Sequence, residues 1–227
     1  MDQYDLSVPL YLKKNYWWAY VHPYAVRLFE RQWLVNLILW GNFASLRDRA
    51  LQQLGDSLDG RTLQIACVYG DLTTRLVARL PAGANLEVVD ILPIQLQTLA
   101  RKLPDAGAIT PICGNSAALQ LADASYDRAL LFFLLHEQPQ GVRRRTLAEA
   151  LRVVKPGGRI VIVDYHRPHL LHPLHMPMRA ILGMLEPYAL DLWRHDLSHW
   201  LPSDLPPGAI TKRTFFGGLY QLVTITV

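Results

Sequence analysis

Between residues 61 and 164, short continuous apolar runs alternate with stretches whose apolar residues recur every three or four positions. The runs fall at 62–68, 85–89, 108–113, 127–134 and 159–163, and the helical spacing falls at 72–80, 93–103 and 141–154. Short runs without polar alternation are the mark of strands covered on both faces. Strand and helix taking turns in this way predicts a doubly wound, mostly parallel sheet. Two further strands are expected at 210–215 and 220–227, joined through Gly217 and Gly218. Residues 1–58 follow a helical rhythm instead. Tyr16, Tyr20 and Tyr24 are spaced to share one helix face, which Pro23 interrupts. Val26, Phe29, Trp33, Leu37 and Trp40 form a second stripe, and Asn42 and Ser45 break it before a polar helix at 46–58. The expected organisation is an N-terminal helical extension or lid at 1–58. The sheet domain follows at 59–227, with an insertion rich in His, Met and Pro at 166–207.

Ligands of such sheets sit at the carboxyl ends of the strands. Those ends carry Tyr69-Gly70-Asp71, Asp90, Asn115, His136-Glu137 and Asp164-Tyr165-His166. Gly70 opens a helix, whose free N–H groups and dipole face the space above. Asp90 follows 20 residues later at the end of the next strand. A carboxylate there suits the two ribose hydroxyls of an adenosine cofactor.

Composition narrows the function classes. Hydrophobic residues make up 51% and charged residues 19% of the 227, which excludes a disordered chain. Cys67 and Cys113 are the only cysteines, too few for a disulfide framework or a four-thiolate zinc site. The net charge of +4 comes without a long basic run, so nucleic acid is not an expected partner. No signal-peptide pattern is visible, and the longest apolar stretches, 33–40 and 129–135, fall short of the ~18 residues of a membrane span. A cytoplasmic protein is therefore expected. Eleven of the 22 aromatic residues lie in 1–43, which leaves two readings open: a helix packed on the core, or a lid facing membrane.

Several segments carry a family resemblance. Arg152-Val153-Val154-Lys155-Pro156-Gly157-Gly158-Arg159-Ile160, running on to Asp164, is similar to the "RVLKPGG" turn of class I S-adenosylmethionine (SAM)-dependent methyltransferases. Gly114-Asn115-Ser116-Ala117-Ala118-Leu119 is similar to their adenine-contacting "GDAEAL" segment, and 122–127 to their "P-x-x-SFD" entry. Ala66-Cys67-Val68-Tyr69-Gly70-Asp71-Leu72-Thr73 resembles the "AGGTGDLT" loop of the ubiquinone/menaquinone C-methyltransferases. The resemblance implies a class I SAM methyltransferase-like Rossmann fold of seven strands. It implies a cofactor site built from Gln64, Ala66, Tyr69, Gly70, Thr73, Asp90, Ile91, Asn115 and Ser116.

The chain departs from that pattern at the glycine loop. Gln64 replaces the usual acid, Cys67 and Val68 replace glycines, and Tyr69 replaces threonine. This combination resembles the rhodoquinone biosynthesis protein family. That resemblance implies conversion of ubiquinone to rhodoquinone, a ring methoxy group giving way to an amine from SAM, with a divalent metal such as Mn²⁺. An uncharged Gln64 would then leave the SAM amine free to act as a nucleophile. Methyl transfer to a quinone, and a non-catalytic lipid- or partner-binding role, are the alternatives.

Candidate chemistry at the strand ends follows from residue types. His136, Asp164 and His166 are candidate metal ligands, and His136, His166 and Tyr69 are candidate catalytic groups. The histidines at 166, 169, 172 and 175, and the His195/His199 pair near Asp191, have metal-like spacing only. Arg143-Arg144-Arg145 reads as a solvated helix face. A polyprenyl quinone needs an apolar portal, for which Tyr16, Trp17, Tyr20 and Trp33 are candidates, with Trp18, Trp40, Met176, Met178, Leu182, Met184 and Leu185 beside them. Peripheral association with the inner membrane surface is the matching expectation, and the oligomeric state is left open.

Overall fold

The computed structural model describes residues 8–16, 23–103, 107 and 109–227. The continuous apolar runs become the inner strands of one seven-stranded sheet. These are β1 (Arg61–Ile65), β2 (Asn85–Asp90), β3 (Ile109–Cys113), β4 (Tyr126–Phe132) and β5 (Val154–Tyr165), followed by β6 (Ile210–Phe215) and β7 (Tyr220–Thr226). Their order is β3-β2-β1-β4-β5-β7-β6. The pairs among β1 to β5 are parallel, and β7 runs antiparallel to both its neighbours. This is the doubly wound, mostly parallel sheet expected from the sequence.

Side chains alternate across each strand, so the sheet builds two cores. Leu130 and Phe132 of β4, with Val161 and Val163 of β5, face α4 (Phe43–Leu54) and α5 (Leu72–Val77). Ala129, Leu131, Ile160 and Ile162 face α7 (Gln140–Val153). Helix α4 buries Leu46, Ala50, Leu51 and Leu54, the one-face spacing of an amphipathic helix. Helix α6 (Pro93–Lys102) starts at a proline, where the missing N–H costs nothing. Strand β5 begins five residues earlier than the apolar run suggests. The Lys155–Gly158 turn is drawn into it through a register shift between Tyr126 and Arg128. Gly158 is required there, because a Cβ would lie 2.8 Å from the Lys155 carbonyl and 2.9 Å from that of Asp127.

The N-terminal segment differs from the expected pair of stripes. Helices α1 (Leu10–Asn15), α2 (Pro23–Phe29) and α3 (Gln32–Ile38) are short. The stripe from Val26 to Trp40 is broken at Glu30 and Arg31. Arg31 is extended there, and Glu30 is drawn to Lys102 of α6 at 2.6 Å. Val26 is buried as a result, while Trp33, Leu37 and Trp40 stay exposed. The insertion holds α8 (His175–Leu185) and the short α9 (Asp191–Arg194).

Candidate functional site

A cavity of about 750 Å³ opens over the carboxyl ends of β1, β2, β4 and β5, bounded by α3 and α8. One wall has the character of a nucleoside site. Asp90 ends β2 and accepts the Cys67 N–H at Oδ2 and the Leu92 N–H at Oδ1, each at 2.8 Å. The Cys67 thiol and the Ile91 N–H also bond this carboxylate. Burial pushes the Asp90 carboxyl up to about 6, against the pull of these N–H groups. Ile91, Asn115 and Ser116 line the same wall. Asn115 Oδ1 accepts the Ala117 N–H at 2.9 Å, and Ser116 is held by Gln138 and Thr146. These residues fit the adenosine end of SAM.

The glycine-loop region is built differently from the expectation. Gln64 is fully buried. Its amide donates to the Ala66 carbonyl at 2.9 Å and accepts from the Thr73 hydroxyl at 3.0 Å. Gln64 and Thr73 therefore lie behind the cavity wall. Together they clamp the turn at Ala66, a non-glycine residue at φ 75, and Ala66 itself faces the cavity. Gly70 (φ +82) packs under α4, where a Cβ would meet Phe43 Cζ at 2.8 Å. Its role is this close approach, and it does not line the cavity among the described residues. Tyr69 does line it, stacked on Phe29 with centroids 5.8 Å apart, and its hydroxyl accepts from Gln95 at 2.8 Å. Burial raises the Tyr69 phenol, so it stays protonated.

The opposite wall carries charge. His136 lies in the short helical turn Leu135–Glu137 that follows β4. Its Nδ1–H donates to Asp164 Oδ1 at 2.9 Å, and its Nε2 is 3.8 Å from Glu137 Oε1. Asp164 is fully buried. It also accepts the backbone N–H groups of Leu135 (2.8 Å), His136 (3.2 Å) and Tyr165 (2.7 Å). Burial is the largest influence on His136 and pulls its pKa down. Asp164, Glu186 and Glu137 together overcome it and hold the imidazole up at about 9. The Tyr165 ring stands edge-on to the imidazole at 4.9 Å.

Sequence reasoning missed Glu186 and misassigned Arg143. Glu186, just past α8, lines the cavity, and burial raises its carboxyl while His136 lowers it. Arg143 is completely buried. Its guanidinium donates to the carbonyls of Leu135 (2.8 Å), Gln138 (2.9 Å) and Tyr188 (2.9 Å). It thus ties the His136 turn to the chain that follows Glu186. The signal lay in the spacing: Arg143 shares the buried face of Thr146, Leu147 and Ala150, so it is no part of a solvated face.

The expected metal centre does not form. His166 turns away, its Nδ1 on the Gly218 carbonyl at 2.8 Å, while Asp164 is committed to His136 and three N–H groups. Among the described residues, no group of three or more His, Cys, Asp or Glu side chains converges. The donor set therefore does not fit Mn²⁺. His172 packs on Phe216 and buried His175 on Trp193, while His195 and His199 stack on each other. The portal also moves. Tyr16 is buried, its phenol facing Glu186, and Trp33 is exposed but outside the cavity lining. Trp17 and Tyr20 lie outside the described residues, as does Trp18. Trp40 and Leu185 do line the cavity, and the Trp40 indole N–H reaches Met178 Sδ at 3.1 Å.

Comparison with known proteins agrees with this geometry. Residues 62–158 match the family model of a methyltransferase domain. The ubiquinone/menaquinone biosynthesis C-methyltransferase UbiE of Paracoccus denitrificans is 30% identical over 182 residues, covering 76% of this chain and 66% of the relative. An uncharacterized methyltransferase of Synechocystis is 26% identical over 91% of this chain and 92% of its own length. Among solved structures, a SAM-dependent methyltransferase from Aquifex aeolicus superposes with a TM-score of 0.56 at 14% identity, covering 91% of this chain and 99% of that one. Geranyl diphosphate C-methyltransferase from Streptomyces coelicolor gives a TM-score of 0.58 at 13% identity, covering 81% and 79%.

The fold is thus that of the class I SAM-dependent methyltransferases. Within that class the chain is related to the ubiquinone/menaquinone methyltransferases of the UbiE type. The expected amino transfer is overturned. The similar proteins are named as C-methyltransferases, and Gln64, whose amide is held by Ala66 and Thr73 behind the cavity wall, plays no part toward the cofactor amine.

Proposed function

We propose that this protein transfers the methyl group of SAM to a ring carbon of a quinone-type substrate in its reduced, hydroquinone form. The observation that carries the proposal is one cavity bounded by a nucleoside-type wall at Asp90 and Asn115 and by the His136–Asp164 pair. The UbiE-type relatives supply the substrate class. When bound, SAM supplies an electrophilic methyl on a sulfonium. Asp90 accepts the ribose hydroxyls, and Asn115 and Ser116 flank the base.

A ring carbon becomes nucleophilic when its neighbouring hydroxyl is ionised. The 3.8 Å between His136 Nε2 and Glu137 Oε1 is too wide for a hydrogen bond. A substrate oxygen set beside that gap reaches both groups. Glu137 takes the phenolic proton, and the imidazolium Nε2–H donates to the oxygen left negative. The ring carbon would take the methyl from SAM bound there, which would leave as S-adenosylhomocysteine; the displaced ring proton would pass to solvent, and Glu137 would return its proton to the oxygen. Asp164 keeps the imidazole charged and oriented. Tyr69 and Tyr165 wall the ring.

The test incubates the protein with SAM bearing a deuterated methyl and a reduced, short-tailed demethylated quinone. Product carrying the intact labelled methyl on carbon supports the proposal. Unlabelled product or unchanged quinone, with SAM bound, overturns it. His136→Gln should lower kcat by about 10²–10³ while leaving SAM affinity unchanged, as for loss of a donor to a developing oxyanion.

A further inference from the structure

The apolar cavity does not stop at the protein surface. Leu28, Leu37, Ile38 and Trp40 on one side of its mouth, and Ile181 and Leu185 on the other, line the cavity and are exposed as well. Beyond them the apolar surface continues outward. Helix α8 buries Met178 and Leu182, yet Met176, Ala180, Ile181, Met184 and Leu185 are exposed beside Arg179, and Leu170 and Leu171 just before the helix extend the exposed apolar surface. Helix α3 turns Trp33, Leu37 and Ile38 outward, beside polar Gln32. Large apolar side chains on a helix face are ordinarily covered. Among the described residues nothing covers these two outer faces. Exposed apolar surface of this extent, gathered around one opening, marks an interaction site.

The charge on the rim identifies the occupant. Residues 166–185 contain no aspartate or glutamate, and their Arg167 and Arg179 are exposed. On the other side, Lys13, Lys14 and Arg31 are exposed. The single acid of 23–40, Glu30, is neutralised by Lys102 at 2.6 Å. An apolar collar edged by cations without an ion pair among the described residues complements a lipid surface, with acyl chains for the collar and anionic headgroups for the rim. No described helix is long and apolar enough to cross a membrane, so the contact is with the surface. Between the two prongs the cavity mouth would face the bilayer.

We infer that α3 and α8 are two prongs of an anionic-lipid docking surface that seats the cavity mouth on a bilayer. This deepens the proposed function, because it gives an apolar-tailed quinone a path from lipid to the His136 wall.

The test uses vesicles free of quinone, so its outcome is independent of the reaction. The full-length protein is floated with phosphatidylglycerol/phosphatidylcholine vesicles and with pure phosphatidylcholine vesicles. Binding to the anionic vesicles, weakened by salt and by omission of phosphatidylglycerol, is expected. Leu171 and Met184 are 98% and 81% exposed, so L171E/M184E leaves the fold intact, as unchanged SAM affinity will report. That variant should bind anionic vesicles at least ~10-fold more weakly, since each change removes an apolar anchor and adds a repelled charge. Arg167→Glu/Arg179→Glu, which leaves the collar untouched, should lose the salt-sensitive part of binding. Absence of vesicle binding, or equal binding by the wild type and both variants, overturns the inference. So does a wild-type dimer in sedimentation that L171E/M184E converts to monomer, because a second copy would then be the occupant.

Discussion

Replacing Asp164 by asparagine removes the charge that keeps His136 protonated in a buried site. Asp164 accepts three backbone N–H groups and the His136 imidazole, so the substitution keeps the shape and deletes the counter-charge. Burial alone favours neutral imidazole, yet the pKa stands at about 9 against an ordinary 6.5. At ~1.4 kcal/mol per tenfold change in proton affinity, that preference is worth about 3 kcal/mol. The folded state binds this proton more tightly than the unfolded chain does. The stabilisation is therefore fully present below about pH 6.5 and is lost as pH rises through about 9. The His136 ring resonance in carbon-labelled protein reads the titration directly. The wild type should show a midpoint near 9, and Asp164→Asn should fall toward or below 6.5, because desolvation remains when the carboxylate is gone. Urea denaturation at pH 6 should find Asp164→Asn less stable by at least about 3 kcal/mol, the cost of breaking a buried charged pair. The difference should shrink toward pH 10. A wild-type midpoint at or below 6.5, or one that Asp164→Asn leaves in place, refutes the account of the pair and the imidazolium role built on it.

Two other predictions concern the cofactor wall. In the proposed function ionised Asp90 accepts the ribose hydroxyls, and burial pushes its carboxyl up to about 6, so SAM affinity by calorimetry should weaken as pH drops through about 6. Asp90→Asn should bind SAM at least ~10-fold more weakly and lose that pH dependence; full affinity in the variant would remove Asp90 from the site. Gly70→Ala forces a Cβ to within 2.8 Å of Phe43 Cζ at φ +82, for a loss of about 2–4 kcal/mol in urea denaturation. Adding Phe43→Leu should recover part of it, whereas strict additivity would show that the ring is not the obstacle.

Much of the fold was legible because burial on both faces leaves a one-dimensional trace. A strand covered by helices above and below is mostly apolar, so β1, β2, β4 and the core of β5 read as apolar runs even though β1 buries Thr62 and Gln64 and β2 buries Glu87. Asp90, His136 and Asp164 were legible as well, because a parallel sheet delivers its strand ends to one edge. Gln64 was misread. Its position matches an acid that faces the cofactor elsewhere, but whether a side chain faces the cavity or the loop behind it depends on a partner. That partner, Thr73, is nine residues away on another element. His166 was placed at the metal for its nearness to Asp164 in sequence, and the β6–β7 hairpin claimed it instead.

The sequence by itself determined the strand-and-helix alternation, the carboxylate Asp90 at the end of a strand and the excess of aromatic residues near one end. These rest on local periodicity and on residues whose chemistry is fixed wherever they fold. Only the tertiary structure decided what the aromatic segment does. It buried Tyr16, exposed Trp33 and Trp40, and set α3 opposite α8 across one mouth. Exposure is a property of what packs against a residue, and for these helices that neighbour lies more than a hundred residues away. The same holds for charge. Asp164 and His136 are 28 residues apart, and the pKa of about 9 exists only because folding removes water and brings the carboxylate to the ring.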